Sequence, residues 1–331
     1  MKTKTEAVFY GEIPFIDKPV SRIVQGTLML SYDKKEEAFG LLDEVYGLGV
    51  NTFDCAPVYG ENGDAERILG RWISQRGNRD QIVLITKGAH HNQWRSRVTP
   101  YDILSDIHDS LARMSVSCID LYFLHRDDPL VPVGPIMETL NSLQAQGKIR
   151  AFGASNWSHE RIARANEYAA EHGMNGFVAS SPYYGLAQQI HDPWGKGCVS
   201  LTGIKQMAAR QWYQKSQFPV FAYSSLGNGF FSGRVRSDCP EMAQTQLGEA
   251  AIKGYCYPEN FERLRRAEYL ACAKKASVAQ IALAWLLSQP LYIYALMSPV
   301  TGEQMRDNLQ ALALSLTERE ASWLNLEIAA L

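Results

Sequence analysis

The 331-residue sequence contains no Cys-x-x-Cys pair. Its six cysteines lie apart, at positions 55, 118, 198, 239, 256 and 272, and no Cys/His spacing suits structural zinc. Free buried thiols are expected, not disulfides. The adjacent His90 and His91 cannot share one helical face, so no metal is expected there either. A basic excess is also missing. The formal net charge is -2, which removes the electrostatic case for nucleic acid or an anionic membrane as partner. The most apolar stretch, SVAQIALAWLLSQP, is too short to span a bilayer and is broken by Ser and Gln. The start, MKTKTEAVFY, lacks the apolar run of a signal peptide, so a cytoplasmic location is expected. No Gly-x-Gly-x-x-Gly follows a strand pattern, which argues against an open doubly wound sheet. No linker, low-complexity tract or long repeat divides the chain, so one domain over residues 1–331 is expected.

What is present is an alternation. Short apolar, β-branched runs occupy 21–27, 51–56, 82–88, 119–125, 149–156, 177–183, 219–225 and 292–299, with helix-period stretches between them. KKEEAFGLLDEVYGLG places Ala38, Leu41, Leu42 and Val45 on one stripe and ends in Gly47 and Gly49. TPYDILSDIHDSLARM opens with Thr99 as N-cap and Pro100 in the first turn. SHERIARANEYAAEHG is bracketed by Ser158 and Gly173. Eight strands, each followed by a helix, predict an α/β fold of the (β/α)8 TIM-barrel type with a parallel eight-stranded core. Two long connections, 187–203 and 228–258, would then lie over the C-terminal mouth.

Three successive strands end in ionisable residues. The second carries Asp54 and then Tyr59, the third ends in Lys87, and the fourth ends in His125. Strand ends of a barrel converge on one mouth, so these four side chains should meet. Each alone has a structural explanation: an ion-pair partner, a turn residue, a snorkelling lysine, a core histidine. Together they suit proton transfer to a carbonyl oxygen. Free tyrosine, with a pKa near ~10, is a poor acid at neutral pH. An ammonium about 4 Å away would favour the phenolate by up to ~4 kcal/mol at an effective dielectric of about 20, before desolvation. That corresponds to roughly three pKa units downward. An aspartate would hold the lysine charged, and a neutral histidine would orient the substrate oxygen.

At these residues, in FDCAPVYG, LITKG and DLYFLHRDDP, the sequence resembles the aldo-keto reductase family across nearly its whole length. The resemblance implies an NAD(P)-dependent carbonyl reductase with Asp54, Tyr59, Lys87 and His125 as its catalytic tetrad. Hydride would pass from nicotinamide C4 to the carbonyl carbon, and Tyr59 would protonate the oxygen. The resemblance further places Gly26 and Thr27 near the nicotinamide and Ser155 and Asn156 on its carboxamide. Tyr223 would stack on the ring, and Ser224, Ser225, Leu226 and Gly229 would pass the pyrophosphate. Ser298, Val300, Gln304 and Asn308 fall in the segment for the adenosine phosphate, where a helix N-terminus would offer N–H groups. Two departures from the family pattern are visible. Ser181 stands where Gln is usual. The adenosine segment lacks the usual Lys or Arg, and Arg306 falls between the helical positions that should face the cofactor. NADP(H) is favoured, with NAD(H) or dual use behind it.

The substrate is expected to be a small-molecule carbonyl: a small polar aldehyde or ketone, sugar-like or anionic. The loops after the third to sixth strands bring His90, His91, Trp94, Arg95, Trp157, His191, Trp194 and Lys196 towards the mouth, without the apolar lining a steroid needs. From these, His90, Trp94, Trp157 and Trp194 are the candidate pocket residues. Two other readings stand beside reduction. Lys87 could be the Schiff-base nucleophile of a barrel aldolase, or the chain could be a nucleotide-binding regulatory subunit with little turnover.

Overall fold

The computed structural model describes residues 9–331. Most of the stretch read for a signal peptide lies outside the described residues. Two short strands, β1 (Tyr10–Ile13) and β2 (Ile16–Ser21), come first and pair antiparallel as a hairpin. Sequence patterning shows no sign of it, because its residues DKP interrupt any apolar alternation. Eight further strands follow: β3 (Ile23–Gly26), β4 (Thr52–Asp54), β5 (Val83–Gly88), β6 (Ile119–Leu124), β7 (Ile149–Ser155), β8 (Ser180–Ser181), β9 (Val220–Ala222) and β10 (Ile293–Met297). They close into a barrel in sequence order, with β10 pairing β3 and all pairs parallel. Helices connect them on the outside, and the fold is the (β/α)8 barrel expected from the alternation.

Strand residues alternate between two cores. Val24, Val83, Ile85, Leu121, Phe123, Ala151, Ala179, Phe221 and Tyr294 pack together inside the barrel. Their neighbours Phe53, Leu84, Tyr122, Phe152 and Ala222 pack outward against the helices. Side chains two apart share a face. The inward series therefore continues, at the C-terminal strand ends, to Gly26, Asp54, Lys87, His125, Ser155, Ser181, Tyr223 and Ser298. At the opposite end the hairpin closes the barrel. Ile13, Ile16 and Val20 join the interior cluster, and Lys18 forms an ion pair of 2.7 Å with the buried Asp120 at the start of β6.

The helix caps are as expected. Thr99 Oγ1 accepts from the Asp102 N–H at the start of helix Pro100–Met114, and Ser158 Oγ accepts from the Arg161 N–H at the start of helix His159–Glu171. In helix Lys35–Gly47 the buried stripe is Ala38, Phe39, Leu42 and Val45, so Phe39 takes the place expected for Leu41. All six cysteines are free thiols. No single helix among the described residues is long and apolar enough to cross a membrane.

Candidate active site

The ends of β4, β5 and β6 bring the four ionisable groups together. Lys87 Nζ donates to both carboxylate oxygens of Asp54 at 2.6 Å, to the Cys55 carbonyl at 3.0 Å and to Tyr59 Oη at 3.0 Å. Asp54 and Lys87 are each only 2% exposed. Tyr59 reaches them because the chain turns directly after β4: the Tyr59 N–H donates to the Ala56 carbonyl, and Gly60 follows at φ +76°. The His125 ring stands edge-on to the Tyr59 ring at 6.0 Å, and the His90 ring lies 4.9 Å from His125. His125 Nδ1 is buried with no protein partner.

Burial and the neighbouring charges together decide the protonation states. Burial pulls the Lys87 ammonium down, but the Asp54 carboxylate and the Tyr59 phenol outweigh it, and the net shift is upward. Lys87 is therefore a charged donor. Burial, Lys87 and His90 in that order hold His125 well below the usual imidazole range, so it is neutral at pH 7. Tyr59 departs from expectation. Burial pushes its phenol up to about 12, more than Lys87 pulls it down. The ammonium is as close as expected, yet the cost of desolvating a phenolate is the larger effect.

The tetrad forms part of the wall of a cavity of about 1090 Å³. Sites for drug-sized ligands span roughly 300–1,000 Å³, so this one has room for a dinucleotide and a small second molecule. Gly26, Ser155, Asn156, Ser181 and Tyr223 line it near the tetrad. Ser224, Ser225, Leu226 and Gly229 from the loop after β9 line it too, as do Ser298, Val300, Gln304 and Asn308 after β10. Asn156, at φ +58°, is a tie-point: its Nδ2 donates to the His125 carbonyl, and its Oδ1 accepts from Tyr223 Oη and the Val199 N–H. Ser181 donates its hydroxyl to the Phe221 carbonyl, leaving lone pairs but no proton for a ligand. Ser224, Gly227, Asn228 and Gly229 all have positive φ, between 52° and 94°, which folds the loop after β9 into a tight concave run.

Several residues expected at the site stand elsewhere. Thr27 is fully buried and does not line the cavity; its hydroxyl donates to the Asp54 carbonyl and ties β3 to β4. Trp157 is equally buried, donating to the Arg126 carbonyl. Trp94 is 80% exposed on a turn organised by Asn92. Arg95 clamps Asp102 instead of facing the cavity. His90 and Trp194 do line it. An apolar section, not foreseen, comes from Leu28, Met29 and Val58 in the loops after β3 and β4.

The adenosine segment also differs from expectation. Helix Gly302–Leu309 has little free N–H to offer: the Gly302 N–H goes to Glu44 and the Gln304 N–H to Thr301. Arg306, however, does line the cavity, and so does Arg234. The Arg234 guanidinium lies over Gly229, where an added Cβ would meet Nη2 at 2.2 Å. Helical spacing alone does not show that Arg306 belongs to the cavity wall. Arg234 and Arg126 stand in view in the sequence, but nothing in their spacing sets them apart from solvated charges.

A family model described as the aldo/keto reductase family matches residues 22–325. The chain belongs to that family. Among its relatives, this aldo-keto reductase is 27% identical over 311 residues to an aryl-alcohol dehydrogenase [NADP(+)] of Phanerodontia chrysosporium, covering 88% of this chain and 76% of that protein. It is also 27% identical over 286 residues to a putative voltage-gated potassium channel subunit beta of Schizosaccharomyces pombe, covering 84% and 79%. A thermostable aldo-keto reductase solved with the inhibitor epalrestat superimposes with a TM-score of 0.71 at 22% identity, covering 96% of this chain and 98% of that one.

Proposed function

We propose that this aldo-keto reductase converts a small polar aldehyde or ketone to the alcohol, using NADPH, with Tyr59 as proton donor. The observation that carries this reading is the hydrogen bond from Lys87 Nζ to Tyr59 Oη. Lys87 occupies a phenolic lone pair, so the O–H proton remains free for a carbonyl oxygen. As that proton leaves, negative charge grows on Oη 3.0 Å from a fixed ammonium. The stabilisation is therefore larger in the transition state than in the ground state. Asp54 keeps the ammonium charged and aimed, and neutral His125 can orient the substrate oxygen. A nicotinamide dinucleotide, when bound, would supply the hydride.

The residues present fit such a cofactor. Gly26 lines the cavity beside Asp54 and packs so closely on Ser298 that a Cβ there would meet Ser298 Oγ at 2.4 Å. The left-handed loop after β9 would present backbone N–H groups to a pyrophosphate. Arg234 and Arg306, neither paired to a carboxylate among the described residues, would meet the 2′-phosphate of NADPH.

Tryptophan-fluorescence titration tests this, since Trp194 lines the cavity. Saturable micromolar binding of NADPH is expected, tighter than NADH. The double variant Arg234→Ala/Arg306→Ala should weaken NADPH by about 10–100-fold, the loss of one or two charge-assisted bonds, and NADH by less than about threefold. Binding of neither dinucleotide would sink the hydride-transfer reading. The Asp54–Lys87 ion pair argues against a Schiff-base lysine, because a protonated amine is not nucleophilic. A regulatory role would show as nucleotide binding without turnover on any carbonyl.

A further inference from the structure

We infer that the carbonyl substrate carries a carboxylate, and that Arg126 recognises it. The inference rests on the reduction proposed above and names the class of compound reduced. Arg126 follows His125 at the end of β6, and its side chain is part of the cavity wall beside His90 and Trp194. It is 6% exposed. Its guanidinium donates to the Trp194 carbonyl at 2.9 Å and to Cys198 Sγ at 3.3 Å, and Nε is buried without a partner. Among the described residues it has no carboxylate partner. Asp127, next in sequence, is held by Arg161 at 2.7 Å. A guanidinium so nearly buried with only a carbonyl and a thiol for company is costly unless something else supplies the charge.

Comparison with the other buried arginines sharpens the point. Arg161 has Asp127, and Arg266 has Glu262. Arg263 lacks a carboxylate, but it lies outside the cavity and donates to the Asn325 carbonyl at the C-terminal end of helix Glu318–Leu324, where the helix dipole favours a cation. Arg126 alone of the four faces the cavity. Each of its terminal nitrogens has a second N–H beyond the bond it makes, so donors remain for an anion.

With Arg234 and Arg306 assigned to the dinucleotide phosphate, the charge left for a substrate is one unit. Lys87 is committed to Asp54, and burial pulls His90 down to about 4 and keeps His125 neutral. One positive charge matches a carboxylate better than a phosphate dianion. Leu28, Met29 and Val58 supply an apolar wall for the rest of the molecule. The class that fits is an oxo-carboxylate with an apolar or aromatic body, its carbonyl on Tyr59 and His125 and its carboxylate on Arg126.

The test compares 4-carboxybenzaldehyde with its methyl ester, using NADPH and the full chain. The wild type is expected to favour the acid at least about tenfold in kcat/KM, mainly through KM, as expected for one charge-assisted contact made equally in ground and transition states. Arg126→Gln should bring the acid-to-ester ratio to about one. Arg126→Lys, which keeps charge but not the planar fork, should leave an intermediate ratio. Separately, calorimetry on the NADP⁺-loaded protein should show benzoate binding more tightly than benzamide, with the difference lost in Arg126→Gln. If neither aldehyde is reduced while benzoate binding still depends on Arg126, the reduction reading fails and the anion site stands. Equal use of acid and ester by the wild type, or no preference for benzoate over benzamide, overturns the inference even if Arg126→Gln does not fold.

Discussion

Tyr59→Phe is expected to lower kcat/KM for carbonyl reduction by about 10²–10⁴-fold, the usual contribution of a general acid, while NADPH affinity stays within about threefold of wild type. The substitution removes one oxygen and leaves the ring, which packs edge-on to His125 and lies 4.8 Å from Lys87 Nζ. The loss should therefore fall on kcat. The pH profile is a second readout. Burial holds the phenol protonated up to about pH 12, so Tyr59 ionisation should not slow reduction anywhere in the ordinary range. The reverse oxidation needs the phenolate. Its rate should climb about tenfold per pH unit on the alkaline side, until the phenol has titrated. Stopped-flow absorbance at about 340 nm in both directions gives both profiles. A reduction limb that breaks with an apparent pKa near ~8 would count against Tyr59 as the acid.

Lys87→Met should cost about 3–5 kcal/mol of stability and all measurable turnover. It leaves the Asp54 carboxylate, 2% exposed, in the barrel with no counter-charge. Removing both charges, in Asp54→Asn/Lys87→Met, should return most of the stability, because two similar-sized neutral groups replace an ion pair that had offset its own desolvation. Turnover should not return, since nothing then stabilises the phenolate. Urea unfolding of the single and double variants, set beside their kcat/KM, separates the structural part of the pair from its chemical part. A double variant no more stable than Lys87→Met would show that Asp54 was not the source of the strain. A double variant with wild-type turnover would remove Lys87 from the proposed mechanism.

The barrel and three of the four clustered groups are legible in the sequence because they rest on local periodicity. Asp54, Lys87 and His125 extend the inward-facing series of β4, β5 and β6 by one step, so strand parity alone aims them at the mouth. The hairpin of β1 and β2 is not legible, since its apolar positions find partners only in the assembled barrel. The tryptophans mislead for a related reason. Trp157 and Trp94 stand in the expected loops, yet one turns into the core and the other into solvent. Loop backbone has no fixed period from which such a choice can be read. The place of Arg306 on the cavity wall and the lack of a counter-charge at Arg126 are facts about neighbours distant in sequence.

The side chains packed inside the barrel close the cavity from below and make it a cul-de-sac. Its floor, at Asp54, Lys87 and Ser155, is almost wholly buried, whereas Leu28, Met29, Val58 and Val300 at its rim are open to solvent. Traffic therefore runs in both directions through one doorway. A dinucleotide seated against Ser155 and Asn156 would have to arrive before the carbonyl that rests on it, and could leave only after the alcohol had gone. First in would be last out.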